Sequence, residues 1–234
     1  MPADLRLETV SVVPGGASLT AQLTDRLRDD ILNGALPPGQ KLKIETLREQ
    51  YEVGASPVRE ALSMLTAEGL VQRLDQRGFR VSDISVSGFE ELLRTRCWLE
   101  ERALRESIAS GSPAWEEGVL LAHHRLTKTP RTSGQSEVAS PQWERAHRMF
   151  HMSLLSACGS DFLIGFCEQL YDLNIRYRNI AGTVAYPSRN VADEHQAICE
   201  AAIGRQADEA VRLLIAHYTD TGEFLKMQLN ALAR

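Results

Sequence analysis

The sequence has no run approaching the ~18 uncharged apolar residues that a membrane-crossing helix requires. Its opening segment carries Asp4, Arg6 and Glu8 without the apolar stretch of a signal peptide, so a soluble cytoplasmic protein with no membrane partner is expected. Cysteine is scarce: Cys97, Cys158, Cys167 and Cys199 are widely spaced and form no C-x-x-C pair. They read as reduced thiols in helical packing rather than as a disulfide scaffold or redox centre. An excess of positive charge is also missing. Lys plus Arg number 26 against 31 Asp plus Glu, and the formal charge of −5 excludes a histone-like binder held by charge alone. A DNA reader stays possible, because its footprint depends on local charge. There is no H-E-x-x-H, no nucleophile motif and no internal repeat. Against these absences, 234 residues with 43% hydrophobic content supply apolar material for two domains.

Residues 1–17, ending in Pro14-Gly15-Gly16, read as a flexible arm. Leu19, Leu23, Leu27, Ile31 and Leu32 make a helical stripe that Gly34 and Pro37-Pro38-Gly39 terminate. A short helix is expected over Ile44–Tyr51. Another runs from about Ser56 to Glu68, with Ser56 as N-cap, Pro57 at the first helical position and Gly69 closing it. Leu70–Leu74 and Gly78–Val81 are strand-like runs around the turn Asp75-Gln76-Arg77. Three helices followed by a hairpin predict a winged helix-turn-helix over 18–83. From residue 86 to 234 the pattern is helical throughout. Ser87 with Glu90 reads as a capping box opening a helix to Ser110. Ser112-Pro113, Ser140-Pro141, Ser160 and Ser188 mark further starts, with a last helix from about Ala207. The fold class expected is mostly α: an N-terminal winged helix-turn-helix and a C-terminal all-α bundle of six helices, large enough to enclose a pocket.

Ile31-Leu32-Asn33-Gly34-Ala35-Leu36-Pro37-Pro38-Gly39, Ser56-Pro57-Val58-Arg59-Glu60-Ala61-Leu62 and Glu68-Gly69-Leu70-Val71, in that order and spacing, closely resemble the winged-helix domain of the GntR family of bacterial transcriptional regulators. The likeness covers about residues 20–82. It implies a double-stranded DNA partner with a pseudo-palindromic operator, read by a homodimer. The residues concerned are Lys43, Glu45, Ser56, Pro57 and Arg59, with the wing tip Gln76, Arg77 and Gly78. The family's usual arginine four positions before Arg59 is replaced by Ala55, which points to a different operator. The physics agrees: a recognition helix enters the major groove by its N-terminal end, where free N–H groups favour phosphate, and Arg59 can read guanine or clamp phosphate. From Lys41 to Arg80 the chain carries seven basic residues (Lys41, Lys43, Arg48, Arg59, Arg73, Arg77, Arg80) against six acidic ones, so this segment is slightly positive within an acidic chain.

His147 and His151 are four residues apart, share a helix face and can chelate one ion. His195 and His217 lie on two later helices, so three helices can bring four imidazoles to one interior point. Nitrogen donors in that number suit a divalent metal such as Zn or Ni. His123 and His124 stand outside this register and read as surface residues. The segments Trp143–Ser160, Asp193-Glu194-His195 and Ala210–His217 resemble the FCD domain of the FadR subfamily, in which an Asp four residues before a His joins three histidines around a divalent metal. His151, His195 and His217 match the three histidines; His147 stands where the family has Asp, so one negative charge is missing.

The same resemblance places Arg96 and Glu100 toward an effector cavity, and Tyr177 with Arg178 forms a second polar cluster on an otherwise apolar helix. Arginine beside a cation in an apolar cavity favours a carboxylate. The stretch Ser153–Arg178 is similar to the CsiR-like branch of the subfamily, carbon-starvation repressors that respond to glutarate, and this implies a short dicarboxylate. The expected function is a ligand-responsive transcriptional repressor rather than an enzyme. A metal-dependent enzyme or a metal sensor using the His cluster is the alternative reading.

Overall fold

The four-residue spacing of Leu23, Leu27 and Ile31 closes as α1 (Leu19–Leu32), whose inner face is fully buried and whose first turn is capped by the Ser18 hydroxyl. This computed structural model describes residues 18–75, 78–132, 139–181 and 189–232. The expected arm, residues 1–17, and the wing-tip residues Gln76 and Arg77 lie outside the described residues, as does Ser188.

The N-terminal unit continues with β1 (Lys41–Leu42), α2 (Ile44–Tyr51), α3 (Ala55–Ala67), β2 (Val71–Leu74) and β3 (Gly78–Val81). The sheet order is β1-β3-β2, antiparallel throughout, with Leu42 opposite Phe79 and Val71 opposite Val81. Strand β1 is too short to show a period and exists by pairing with β3. The unit's core is Leu27, Ile31, Leu47, Val58, Leu62 and Leu65, with Val71 and Val81 from the wing. Helix α3 begins one residue before Ser56. Its N-cap is Gly54 and no side chain caps it, so Ser56 is an exposed second helical residue and Pro57 the third. The expected Ser56 cap is therefore corrected. Pro57 is still in the first turn, where a missing N–H costs nothing.

The C-terminal bundle comprises α4 (Val86–Ser110), α5 (Pro113–Lys128), α6 (Pro141–Leu155), α7 (Asp161–Ile180), α8 (Val191–Ile203) and α9 (Ala207–Leu232). Ser112, Ser140 and Ser160 cap α5, α6 and α7 as their spacing predicts. Helix α4 is capped by Ser85, whose Oγ accepts from Gly88 N at 3.0 Å, so Ser87 falls inside the helix and the expected Ser87–Glu90 capping box is corrected to a simple cap at Ser85. Asn190 caps α8. The core of the bundle gathers Leu104, Val119, Phe150, Leu154, Ile198 and Leu214.

Helix α7 joins the two units. Leu173 packs on the N-terminal core, Asn179 Nδ2 donates to the Leu32 carbonyl at 2.9 Å, and Arg176 donates to the Ser82 carbonyl in the link between β3 and α4. At 100° per residue these positions form a face opposite the one carrying Tyr171, Asn174 and Arg178. One helix thus presents one side to the DNA-reading unit and the other to the interior of the bundle.

Candidate functional site

Four imidazoles meet in the bundle: His147 and His151 from α6, His195 from α8 and His217 from α9. All are buried, with one ligand atom from each lying within 4.8 Å of every other. Outer contacts set the ring orientations. Tyr218 Oη donates its only proton to Glu100 Oε2 at 2.5 Å, so it accepts from His151 Nδ1 at 2.9 Å, leaving the lone pair of His151 on Nε2. His217 Nδ1 donates to Glu194 Oε2 at 2.7 Å, and His147 Nδ1 is engaged by the Tyr171 hydroxyl at 2.6 Å. The Nε2 atoms of His147 and His151 face each other at 3.1 Å, and His195 Nε2 is buried without a hydrogen-bond partner. Outward Nδ1 atoms held by hydrogen bonds and inward Nε2 atoms are the arrangement that metal-ligating histidines require.

Burial drives the pKa of His147, His151 and His195 well below the ordinary histidine range, and the neighbouring imidazoles push in the same direction. His217 is also lowered by burial, against the opposing pull of Glu194. Burial raises the Glu194 carboxyl, but hydrogen bonds from His217 and Arg189 outweigh it and hold it at about 2. The four rings are therefore neutral donors at neutral pH. Adjacent nitrogens around a Zn-sized ion at ~2.0–2.1 Å stand about 2.9–3.4 Å apart, and the 3.1 Å pair falls within that range. The residues present fit a divalent ion.

Against this cluster lies a cavity walled by Arg96, Arg131, Trp143, Tyr171, Asn174 and Arg178, with His147, His217, Leu93, Val191, Tyr218 and Thr221 completing it. Its empty space, open mouth included, is about 460 Å³. Arg96 is ion-paired with Glu100 at 2.5 Å across one helical turn, while its Nη2 is buried without a partner. Its guanidinium stands over the Tyr218 ring at 3.9 Å. Arg178 reaches Glu144 on α6.

Tyr177 does not join this wall. It lies 120° round α7 from Tyr171 and packs on Phe89 with ring centres 5.2 Å apart, so its expected place at the effector cavity is corrected. Glu100 stands behind the wall as the partner of Arg96 and Tyr218. His123 is not a surface residue: it belongs to the buried stripe of Trp115, Val119 and Leu126 and packs on Phe150 at 5.3 Å, whereas His124 is exposed. Trp143, four residues before His147 on the same face and stacked on it at 4.5 Å, was open to discovery by spacing alone. Tyr171, Asn174 and Glu194 carry no local signal of their roles.

On the N-terminal unit, Lys43 precedes α2, Glu45 lies in its first turn, and both are exposed with Ser56 and Arg59. Pro57 is half-buried. Gly78 opens β3 with φ of 90°, a conformation that glycine adopts without strain. Among the described residues no helix is long and apolar enough to cross a membrane.

Residues 19–81 match the gntR family of bacterial regulatory proteins, and residues 91–220 match the FCD domain. The HTH-type transcriptional regulator BphR of Paraburkholderia xenovorans is 41% identical over 86% of this chain and 82% of its own. The HTH-type transcriptional repressor GlaR of Escherichia coli is 34% identical over 82% of this chain and 88% of its own. The solved structure of E. coli McbR/YncC superposes with a TM-score of 0.73 at 20% identity, covering 91% of this chain and 99% of that one, which shows the shared fold. Such relatives are transcriptional regulators, so the enzyme reading of the His cluster falls. The chain belongs to the gntR family of bacterial regulatory proteins, as a DNA-binding transcriptional regulator with a C-terminal FCD domain.

Proposed function

We propose that this regulator is a repressor released from its operator by a small carboxylate, a short dicarboxylate such as glutarate, bound beside a divalent ion, Zn or Ni, at His147, His151, His195 and His217. The observation that carries the reading is the cavity wall. Arg96, Arg131 and Arg178 line it next to the histidines, no carboxylate does among the described residues, and Arg96 Nη2 is a buried donor without a partner. An anion with two oxygens matches a guanidinium fork. When bound, the ion supplies a positively charged coordination position for one carboxylate oxygen. The chain's own part is to hold the rings by Tyr171, Tyr218 and Glu194, to present the arginines, and to keep the pocket small.

Residues 18–83 serve as the reading domain and 86–234 as the effector and dimerisation domain, with 1–17 an arm. Ser56, Pro57 and Arg59 enter the major groove, Lys43 and Glu45 flank it, and Gln76, Arg77 and Gly78 approach the backbone as the wing. A homodimer places two such helices on a pseudo-palindromic operator. Exposed Trp98 on α4 and Phe162 and Phe166 on α7 supply apolar surface for a second copy. Helix α7 carries the signal because Asn174 and Arg178 face the cavity while Arg176 and Asn179 hold the reading domain. The GlaR relative, named a repressor, supports the sign of regulation. A thermal-shift series of short mono- and dicarboxylates on zinc-loaded protein, followed by fluorescence anisotropy on the operator, tests the whole. A dicarboxylate should raise the melting temperature and weaken operator binding. Absence of any shift across the series refutes the carboxylate effector.

A further inference from the structure

The charge around the His cluster is already balanced before any ion arrives. Arg96 holds Glu100, Arg178 holds Glu144 and Arg189 holds Glu194, and among the described residues the cavity wall contains three arginines and no Asp or Glu. All four prospective ligands are buried neutral rings. A divalent ion there would add two positive charges beside a wall in which, among the described residues, no carboxylate faces it, and an uncompensated buried charge is costly. The wall also offers Arg96 Nη2, buried and without a hydrogen-bond partner, which no metal can satisfy but an anion can.

Resting on the metal reading above, we propose that ion and carboxylate bind this chain as an interdependent pair, the carboxylate being the charge-balancing co-ligand of the all-imidazole site. His147 is the residue that imposes this dependence. It lines the cavity, shares one helix face with His151, and is the position where a carboxylate would place negative charge between cluster and cavity. A protein built this way holds its metal weakly until the anion is present, and holds the anion weakly until the metal is. The two affinities are linked by one coupling factor, identical in both directions.

The test uses the full-length chain, stripped of metal by chelation, in a chloride-poor sulfonate buffer. Zinc is titrated calorimetrically alone, with acetate and with glutarate; glutarate is then titrated with and without zinc. The zinc dissociation constant should fall by ~10- to 100-fold with glutarate, and that of glutarate should fall by the same factor with zinc. In His147→Asp, zinc should bind without any carboxylate, and added glutarate should change its constant less than about threefold. If circular dichroism shows this variant unfolded, the reciprocal wild-type titrations decide alone. A zinc constant unchanged by both carboxylates overturns the pairing while leaving the metal site standing. Wild-type-like coupling in a folded His147→Asp overturns the role of His147. Failure of zinc to bind under every condition refutes the metal reading itself.

Discussion

Arg178 and Glu144 form an ion pair between α7 and α6 and stand on opposite sides of one wall: Arg178 lines the cavity beside the histidines, and Glu144 lines the cleft between the two domains beside Asp29, Leu32 and Asn179. The second oxygen of Glu144, Oε1, is buried without a partner. An anion that draws Arg178 into the cavity therefore changes the charge facing α1, so the pair links the two proposed ends of the signal.

Replacing Glu144 by Gln removes the carboxylate that competes with the anion for Arg178. Without effector the melting temperature should fall, because the buried Arg178 guanidinium loses a charged partner. Dicarboxylate should then bind several-fold more tightly and raise the melting temperature by more than in the wild type. Calorimetry and thermal shift read both effects; weaker dicarboxylate binding would contradict the competition.

Arg59 is exposed in the second turn of α3, clear of the core that Val58, Ala61 and Leu62 build. Arg59→Ala should fold normally and weaken operator binding by ~1–3 kcal/mol, about 5- to 150-fold. Anisotropy titrations at several salt concentrations separate its roles. Loss concentrated on one operator position marks base reading, and a uniform loss with a shallower salt slope marks phosphate contact. Wild-type affinity would remove Arg59 from the interface.

The metal-free protein should lose stability in mild acid. In the unfolded chain the four histidines titrate near 6.5, whereas burial keeps them neutral to lower pH in the fold. Their folded pKa values lie below the unfolded one, so the unfolded state takes up protons first. Their contribution is full above pH ~6.5 and declines below it, at up to about 1.4 kcal/mol per pH unit for each ring. Melting curves recorded from pH 7.5 to 5 should be level at first and then fall steeply below ~6.5. Zinc should displace the fall to lower pH, since metal competes with protons for the same nitrogens. A melting temperature independent of pH in the metal-free form would contradict the neutral cluster.

Arg176 is 2% exposed, burial lowers its pKa, its Nε has no partner, and its Nη2 donates to the Ser82 carbonyl at the junction of the domains. A buried guanidinium held by one backbone oxygen adds little to folding, so Arg176→Met should change overall stability by less than ~1.5 kcal/mol. Its effect should fall on communication. Dicarboxylate binding should persist, while its effect on operator affinity should shrink several-fold. Unchanged operator release in a folded Arg176→Met would show that the signal bypasses this contact.

The features legible in the sequence are those written within a few residues. Helix α2 over Ile44–Tyr51, the serine-proline starts of α5 and α6, and the turn at Gly69 follow from stripes, caps and a glycine φ of 77°. So does the approach of His147 to His151, which one helical turn guarantees. Strand β1 escaped because two residues have no periodicity, and Ser85 capped α4 in place of Ser87 because neighbouring serines compete on equal terms.

The four-histidine meeting point was foreseeable as far as placing each ring on a helix. Their convergence depends on how α6, α8 and α9 pack, and the outer contacts from Tyr171, Tyr218 and Glu194 depend on residues 23 to 67 positions away from the rings they hold. Tyr177 and His123 show the limit from the other side. Each residue turns its side chain by 100°, so the axial rotation of a helix in the bundle decides whether a polar ring meets the cavity, the core or water. By itself the sequence determined the helices, the wing hairpin, the family and the candidate ligands, because local hydrogen bonds, motifs and apolar spacing specify them. Tertiary structure alone decided which arginines wall the cavity and that Arg178 meets Glu144 across two helices, because such contacts depend on a relative helix rotation that no local pattern encodes.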